Sequence, residues 1–221
     1  MTLPFIGKPR DAHQSLADIE LMLPHCIAFL EIPGSMRVLF STPIPPHVDV
    51  RPCKELVCKL IGDLDQWARE YPHLNNVSRS PRGTPAPAAR GTSKPTRRGL
   101  SSSSSPNTFV ALIASNYIAD RLVVSMLMYK MHTESTAPLE PYENTTAHYY
   151  DEATQAAVSI MEAAIEIEQA QTPGFDLLRS IAPVMAAAFA APTLELRKDA
   201  VDMMQRWAGK IGGLGSVINA I

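Results

Sequence analysis

The sequence predicts an all-α protein, an irregular helical array or bundle interrupted by one disordered, basic, Ser/Pro-rich linker. Three observations predict it. Apolar residues recur at three- and four-residue intervals over most of the chain, and no stretch alternates convincingly as a strand would. The apolar content is dominated by Ala, Leu, Ile and Met, with 10 methionines and only 6% aromatics, a mixture suited to packed helices more than to sheets of β-branched and aromatic residues. Between the periodic segments the chain carries clusters of Pro, Gly and Ser that regular structure does not survive.

Taken in order, residues 1–10 read as a frayed arm. Leu16, Ile19, Leu23, Ile27 and Leu30 then recur with helical spacing, and Pro24 is expected to kink or split that helix because it lacks a donor and clashes with the preceding turn. Gly34 ends the segment. Val38–Phe40 is either a short strand or one more turn. Pro43, Pro45, Pro46 and Pro52 make 41–52 an extended loop. A helix is expected from about Cys53 to Glu70, with Leu56, Leu60, Leu64 and Trp67 as its stripe and Tyr71-Pro72 as its stop.

Residues 78–106 are the clearest boundary. They are dense in Ser, Pro, Gly, Thr and Ala, and Arg79, Arg82, Arg90, Lys94, Arg97 and Arg98 face no acidic residue there. Such a segment cannot bury enough apolar area to offset its ordering entropy. It divides the chain into an N-terminal helical segment (1–77), a linker (78–106) and a C-terminal helical domain (107–221). The linker reads first as a solvated connector. Its alternatives are a nuclear import signal around Lys94-Pro95-Thr96-Arg97-Arg98 and phosphate contact with nucleic acid.

After the linker, Phe109, Leu112, Ile113, Val123, Leu127 and Met131 mark a helix, with Asn116 expected to make a buried inter-helix hydrogen bond. A Pro-containing loop covers 136–144. Thr146 is a candidate cap for a helix reaching Gln169, striped by Tyr150, Ala153, Ala157, Ile160, Met161, Ala164 and Ile167. Phe175–Ala190 is apolar almost all round, as a central bundle helix would be, with a bend expected at Pro183. Pro192-Thr193 stops it and caps a helix from Leu194 to Lys210, striped by Leu196, Ala200, Met203, Met204 and Trp207. Gly212-Gly213 is a natural stop, and 214–221 a candidate last short helix.

Composition bounds function. With 221 residues, 46% hydrophobic and 19% charged, the chain is globular and long enough for a sizeable core. A net charge of −2 gives no general attraction to nucleic acid or to anionic membranes. Three cysteines form no disulfide framework and suit a reducing compartment. The N-terminal residues have no apolar stretch of signal-peptide length, and no membrane span is expected, since Phe109–Met131 is interrupted by Asn116, Asp120 and Arg121.

No catalytic, cofactor-binding or metal-ligating residue emerges. Cys53 and Cys58 on a helix lie about 140° apart around the axis, and no Cys-x2-Cys pair exists to start a zinc site. No Gly-x-Ser-x-Gly elbow is present, and no Cys/His pair stands in a recognisable catalytic context. The glycines between Gly209 and Gly215 follow a helix instead of a strand, which suits a helix end and not a phosphate loop. Asp63 and Asp65 belong to the polar face of the Trp67 helix, and His148-Tyr149-Tyr150-Asp151-Glu152 to a helix start with two aromatics turned inward.

The C-terminal half carries a family resemblance. The order is Tyr149-Tyr150, an alanine-rich helix, Pro173-Gly174-Phe175, Leu177-Leu178-Arg179, Pro183 in an apolar helix, Glu195-Leu196-Arg197, Met203 to Trp207, and Gly213-Leu214. It resembles the distal part of the fungal-specific regulatory region of fungal zinc-cluster transcription factors. Leu64-Asp65-Gln66-Trp67 is similar to a Leu-x-x-Trp recurrent in that region. The resemblance implies a nuclear location and a regulatory helical module of transcription. Its implied partners are another protein, a second copy of itself or a small effector. The family's DNA-binding head needs six cysteines and this chain has three, so the expected module lacks its own zinc cluster and direct DNA binding. The alternative is a helical interaction or scaffold protein with no gene-regulatory role.

Overall fold

The computed structural model describes residues 11–75, 108–134, 143–169 and 174–210, which are mostly helical with no strand among them. The predicted fold class holds. The basic segment 78–106, the arm 1–10 and the suggested helix at 214–221 lie outside the described residues.

Nine helices are described. The first, α1 (Ala12–Glu20), opens on a capping box: the Asp11 carboxylate accepts the Gln14 backbone N–H at 2.8 Å, and the Gln14 side chain accepts from Asp11 N at 3.5 Å. The chain breaks at Leu21, and α2 (Leu23–Ala28) begins with Pro24 in its first turn. Pro24 therefore splits the expected long helix and opens the second half, in the one part of a helix where its missing N–H costs nothing. Gly34 follows with φ +119° and would bring a Cβ within 3.3 Å of Val38, so both backbone and space ask for glycine.

Of the two readings of Val38–Phe40, the strand fails and the further turn holds: they are the centre of the short helix α3 (Met36–Ser41). The Pro-rich loop is shorter than expected, because Pro52 lies in the first turn of α4 (Arg51–Glu70). That helix buries Cys53, Val57, Leu60, Leu64 and Trp67, close to the expected stripe but rotated so that Leu56 sits at its margin. Tyr71 ends it as predicted, and a single further turn follows as α5 (Pro72–Asn75).

Beyond the linker come α6 (Thr108–Glu134), α7 (Glu143–Gln169), α8 (Gly174–Ala190) and α9 (Leu194–Ala208). Thr146 falls inside α7, which starts at Glu143, so its expected capping role does not occur. Thr193 does cap α9, its hydroxyl accepting the Leu196 N–H at 3.3 Å. The helix α8 runs through a buried Pro183.

The helix α6 is the hub. It packs on α7, α8 and α4, and touches α1 and α5. Its apolar residues face almost every direction: Leu122, Val124, Leu127 and Met131 are fully buried, and Val123 and Met128 nearly so. It has the length and hydropathy of a membrane span, and 72% of that window is buried against its neighbours. The helix α8 lies against α9, α7 and α3 and presents small residues, Ala187 and Ala190, with no exposed surface. A continuous hydrophobic cluster runs from Leu16 and Leu30 through Leu60, Leu64 and Trp67 to Leu127, Ile160, Val184 and Trp207. Helices before and after the linker thus share this core.

Trp67 marks the junction. Only 1% exposed, it donates its indole N–H to the Ala12 carbonyl at 2.8 Å and stacks on Tyr117 with centroids 5.0 Å apart. One side chain on α4 thereby ties down the first turn of α1 and packs against α6.

Candidate functional site

The buried polar groups fall into three clusters. The first joins α4, α6 and α7. Arg121, on an otherwise apolar helix, donates to Asp65 at 2.6 Å and to Glu152, and the Ser125 hydroxyl donates to the other Glu152 oxygen at 2.9 Å. The Arg121 and Glu152 side chains are 18% and 20% exposed. Half-shielded charges interact more strongly than surface ones and cost more if left alone, so this cluster fixes how the three helices meet. Asp65, read as part of the polar face of α4, and Glu152, read as part of a helix start, here anchor an inter-helix ion pair. Asn116, expected to make such a contact, is half-buried and bonds no described residue.

The second cluster forms a cleft of about 170 Å³ between α3, α6, α7 and the α8–α9 turn. Its lining includes Phe40, Tyr129, Lys130, Glu134, Tyr150 and Arg197. The Lys130 side chain is only 4% exposed. Its ammonium donates to the Thr42 carbonyl at 2.6 Å and to the two Glu134 oxygens at 2.9 and 2.8 Å. Glu134 also accepts the Ile44 backbone N–H at 2.9 Å. The pair therefore ties the end of α6 to the loop after α3. Arg197 reaches back from α9 to donate its Nε–H to the Ala191 carbonyl at 2.6 Å, closing the turn between α8 and α9. Tyr129 and Tyr150 face each other with centroids 5.3 Å apart.

The third group consists of buried titratable side chains. Asp120 is 7% exposed and its Oδ2 has no hydrogen-bond partner; burial, with the charge of Glu20 nearby, pushes its carboxyl well above the usual range. Burial and the charge of Lys54 lower the His132 imidazole, which packs beside Tyr149 at 5.8 Å. The Cys53 thiol donates to the Cys26 carbonyl at 3.1 Å. Burial pushes Cys53 up to about 12 and Cys26 to about 11, so neither thiol is poised as a nucleophile. Cys58 is exposed.

Among the described residues no group of three or more His, Cys, Asp or Glu is placed to hold a metal ion. Of the polar-aromatic run at 148–152, Tyr149 and Tyr150 turn half inward onto His132 and Tyr129, and Glu152 joins Arg121. Sequence reasoning named Phe40, Tyr150 and Arg197 among the lining residues, but as packing and resemblance positions and not as a site, and it passed over Lys130 and Glu134. The signal that could have found them is a charge on an apolar helix: Lys130 stands between Leu127 and Met131 with Glu134 one turn on, an (i, i+4) pair where the helix should be all hydrophobic. Comparison with family models, with curated proteins and with solved structures finds no match for this chain.

Proposed function

We propose that this chain acts by binding, as a helical regulatory module of transcription whose partner is another protein or a second copy of itself. The observation that carries the reading is the block from Tyr149 to Trp207. Of the described residues on which its resemblance to the regulatory region of fungal zinc-cluster transcription factors rests, several on three consecutive helices serve packing and turn closure. Leu177 is 5% exposed and Trp207 fully buried. Arg197 closes the α8–α9 turn. One further feature supports a binding role: the ion pairs of Arg121 and Lys130 are spent on holding the structure together.

The test is localisation of the tagged full chain together with identification of cross-linked partners. The reading expects nuclear enrichment and a partner from the transcription apparatus or a second copy of the chain. Exclusion from nuclei with only cytoplasmic partners overturns the regulatory setting and leaves the helical interaction protein as the function.

A further inference from the structure

We propose that the cleft bounded by α3, α6, α7 and the α8–α9 turn is a binding site for a small organic carboxylate. Lys130 has three N–H donors, and all are used, on the Thr42 carbonyl and on Glu134. Glu134 accepts from Lys130 and from Ile44 N. That pair is neutral and closed. The Thr133 hydroxyl is likewise committed, donating to the Tyr129 carbonyl at 2.9 Å.

What remains is one-sided. Arg197 spends its Nε–H on Ala191, and no carboxylate among the described residues pairs with its guanidinium. Among the described residues the terminal guanidinium N–H groups are therefore uncommitted, and they carry the fork that grips a carboxylate with two parallel bonds. The hydroxyls of Tyr129 and Tyr150 bond no described residue either. Among the described residues the lining thus holds unspent donors and one positive charge without a carboxylate partner, on a half-buried side chain where screening by water is reduced. Phe40, Met126 and Pro192 supply the apolar wall. A ligand that answers all of this carries an anionic acceptor on an apolar body.

Size narrows it further. A volume of about 170 Å³ is below the roughly 300–1,000 Å³ of pockets that hold drug-sized ligands. The occupant is a small acid, not a nucleotide or a cofactor. The inference is independent of the regulatory reading: a carboxylate would bind here whatever process the protein serves.

The experiment titrates the full chain with benzoate, with benzamide as the neutral isostere and with inorganic phosphate, following backbone amide NMR shifts and calorimetry. Saturable benzoate binding is expected, with shifts centred on Tyr129, Thr133, Tyr150 and Arg197, and benzamide at least tenfold weaker. Arg197→Gln should weaken benzoate at least tenfold, and Tyr150→Phe severalfold with an unchanged unfolding midpoint. Absence of saturation at millimolar benzoate, equal binding of benzoate and benzamide, tighter binding of phosphate than of benzoate, or full affinity in Arg197→Gln each overturns the proposal. If Arg197→Gln does not fold, the benzoate–benzamide comparison on the unaltered chain and the Tyr150→Phe variant decide it.

Discussion

Replacing Trp67 by Phe probes the joint between the helices that precede the linker and those that follow it. The substitution removes the indole N–H, leaving the Ala12 carbonyl at the mouth of α1 without the donor that now sits 2.8 Å away; loss of one such bond costs about 1 kcal/mol. It also removes part of a ring that is 1% exposed and stacked on Tyr117. A partial cavity and weakened stacking add about 1–2 kcal/mol. The total is about 2–3 kcal/mol, which at a urea dependence of about 2 kcal/mol per molar moves the midpoint by about 1–1.5 M. The chain has two tryptophans, so the variant keeps Trp207 as its sole indole fluorophore, buried in α9 at the far end of the core. Urea unfolding followed by Trp207 emission and by far-ultraviolet circular dichroism should show both signals moving together by that amount. An unmoved Trp207 transition, with only part of the helical signal lost early, would refute a shared core.

Other expectations follow from the buried polar groups. Arg121→Met strands Glu152 and loosens Asp65, and should destabilise by about 3 kcal/mol in denaturant unfolding; adding Glu152→Met should recover much of the loss. Asp120 has its carboxyl held well above 3.8 by burial and by Glu20. A raised folded-state value means that the unfolded chain ionises first, so this residue's contribution is intact below the unfolded value and is lost as pH climbs toward the folded one. Asp120→Asn should therefore raise the melting temperature increasingly above about pH 4, relative to the parent, and a gain confined to lower pH would contradict the assignment. With Cys26 and Cys53 buried and pushed up to about 11 and 12, and Cys58 exposed, a thiol reagent at pH 8 should modify one cysteine quickly. Cys58→Ser should abolish that fast phase.

Much of the fold was legible because its helices are long and periodic. The burial of Leu60, Leu64 and Trp67, and of Ala200, Met203, Met204 and Trp207, follows directly from three- and four-residue spacing. Prolines were harder to read. Pro24 and Pro52 look like breakers by composition, yet each opens a helix, since a first-turn position needs no N–H. Which turn a proline occupies depends on what the preceding residues pack against, and spacing alone does not carry that. Thr146 had the chemistry of a cap, but Glu143 starts α7 earlier. The cleft was hidden for a different reason. Phe40, Lys130, Tyr150 and Arg197 come from four helices far apart in sequence, and only the packing of α8 and α9 beside α6 brings them together. Arg121 and Lys130 on the most apolar long helix were the visible hint, because a charge kept there needs a partner from another element or from one turn along.

Native-state hydrogen exchange on the full chain tests most directly whether the segments on either side of the linker form a shared core. The slowest amides of α4, around Leu60 and Leu64, and those of α6, around Leu122 and Leu127, should exchange with the same opening free energy and the same dependence on denaturant, as members of one cooperative unit do. Protection in α4 lost at distinctly lower denaturant than in α6 would contradict the account, because it would mean that the N-terminal helices only lean on a body that stands without them.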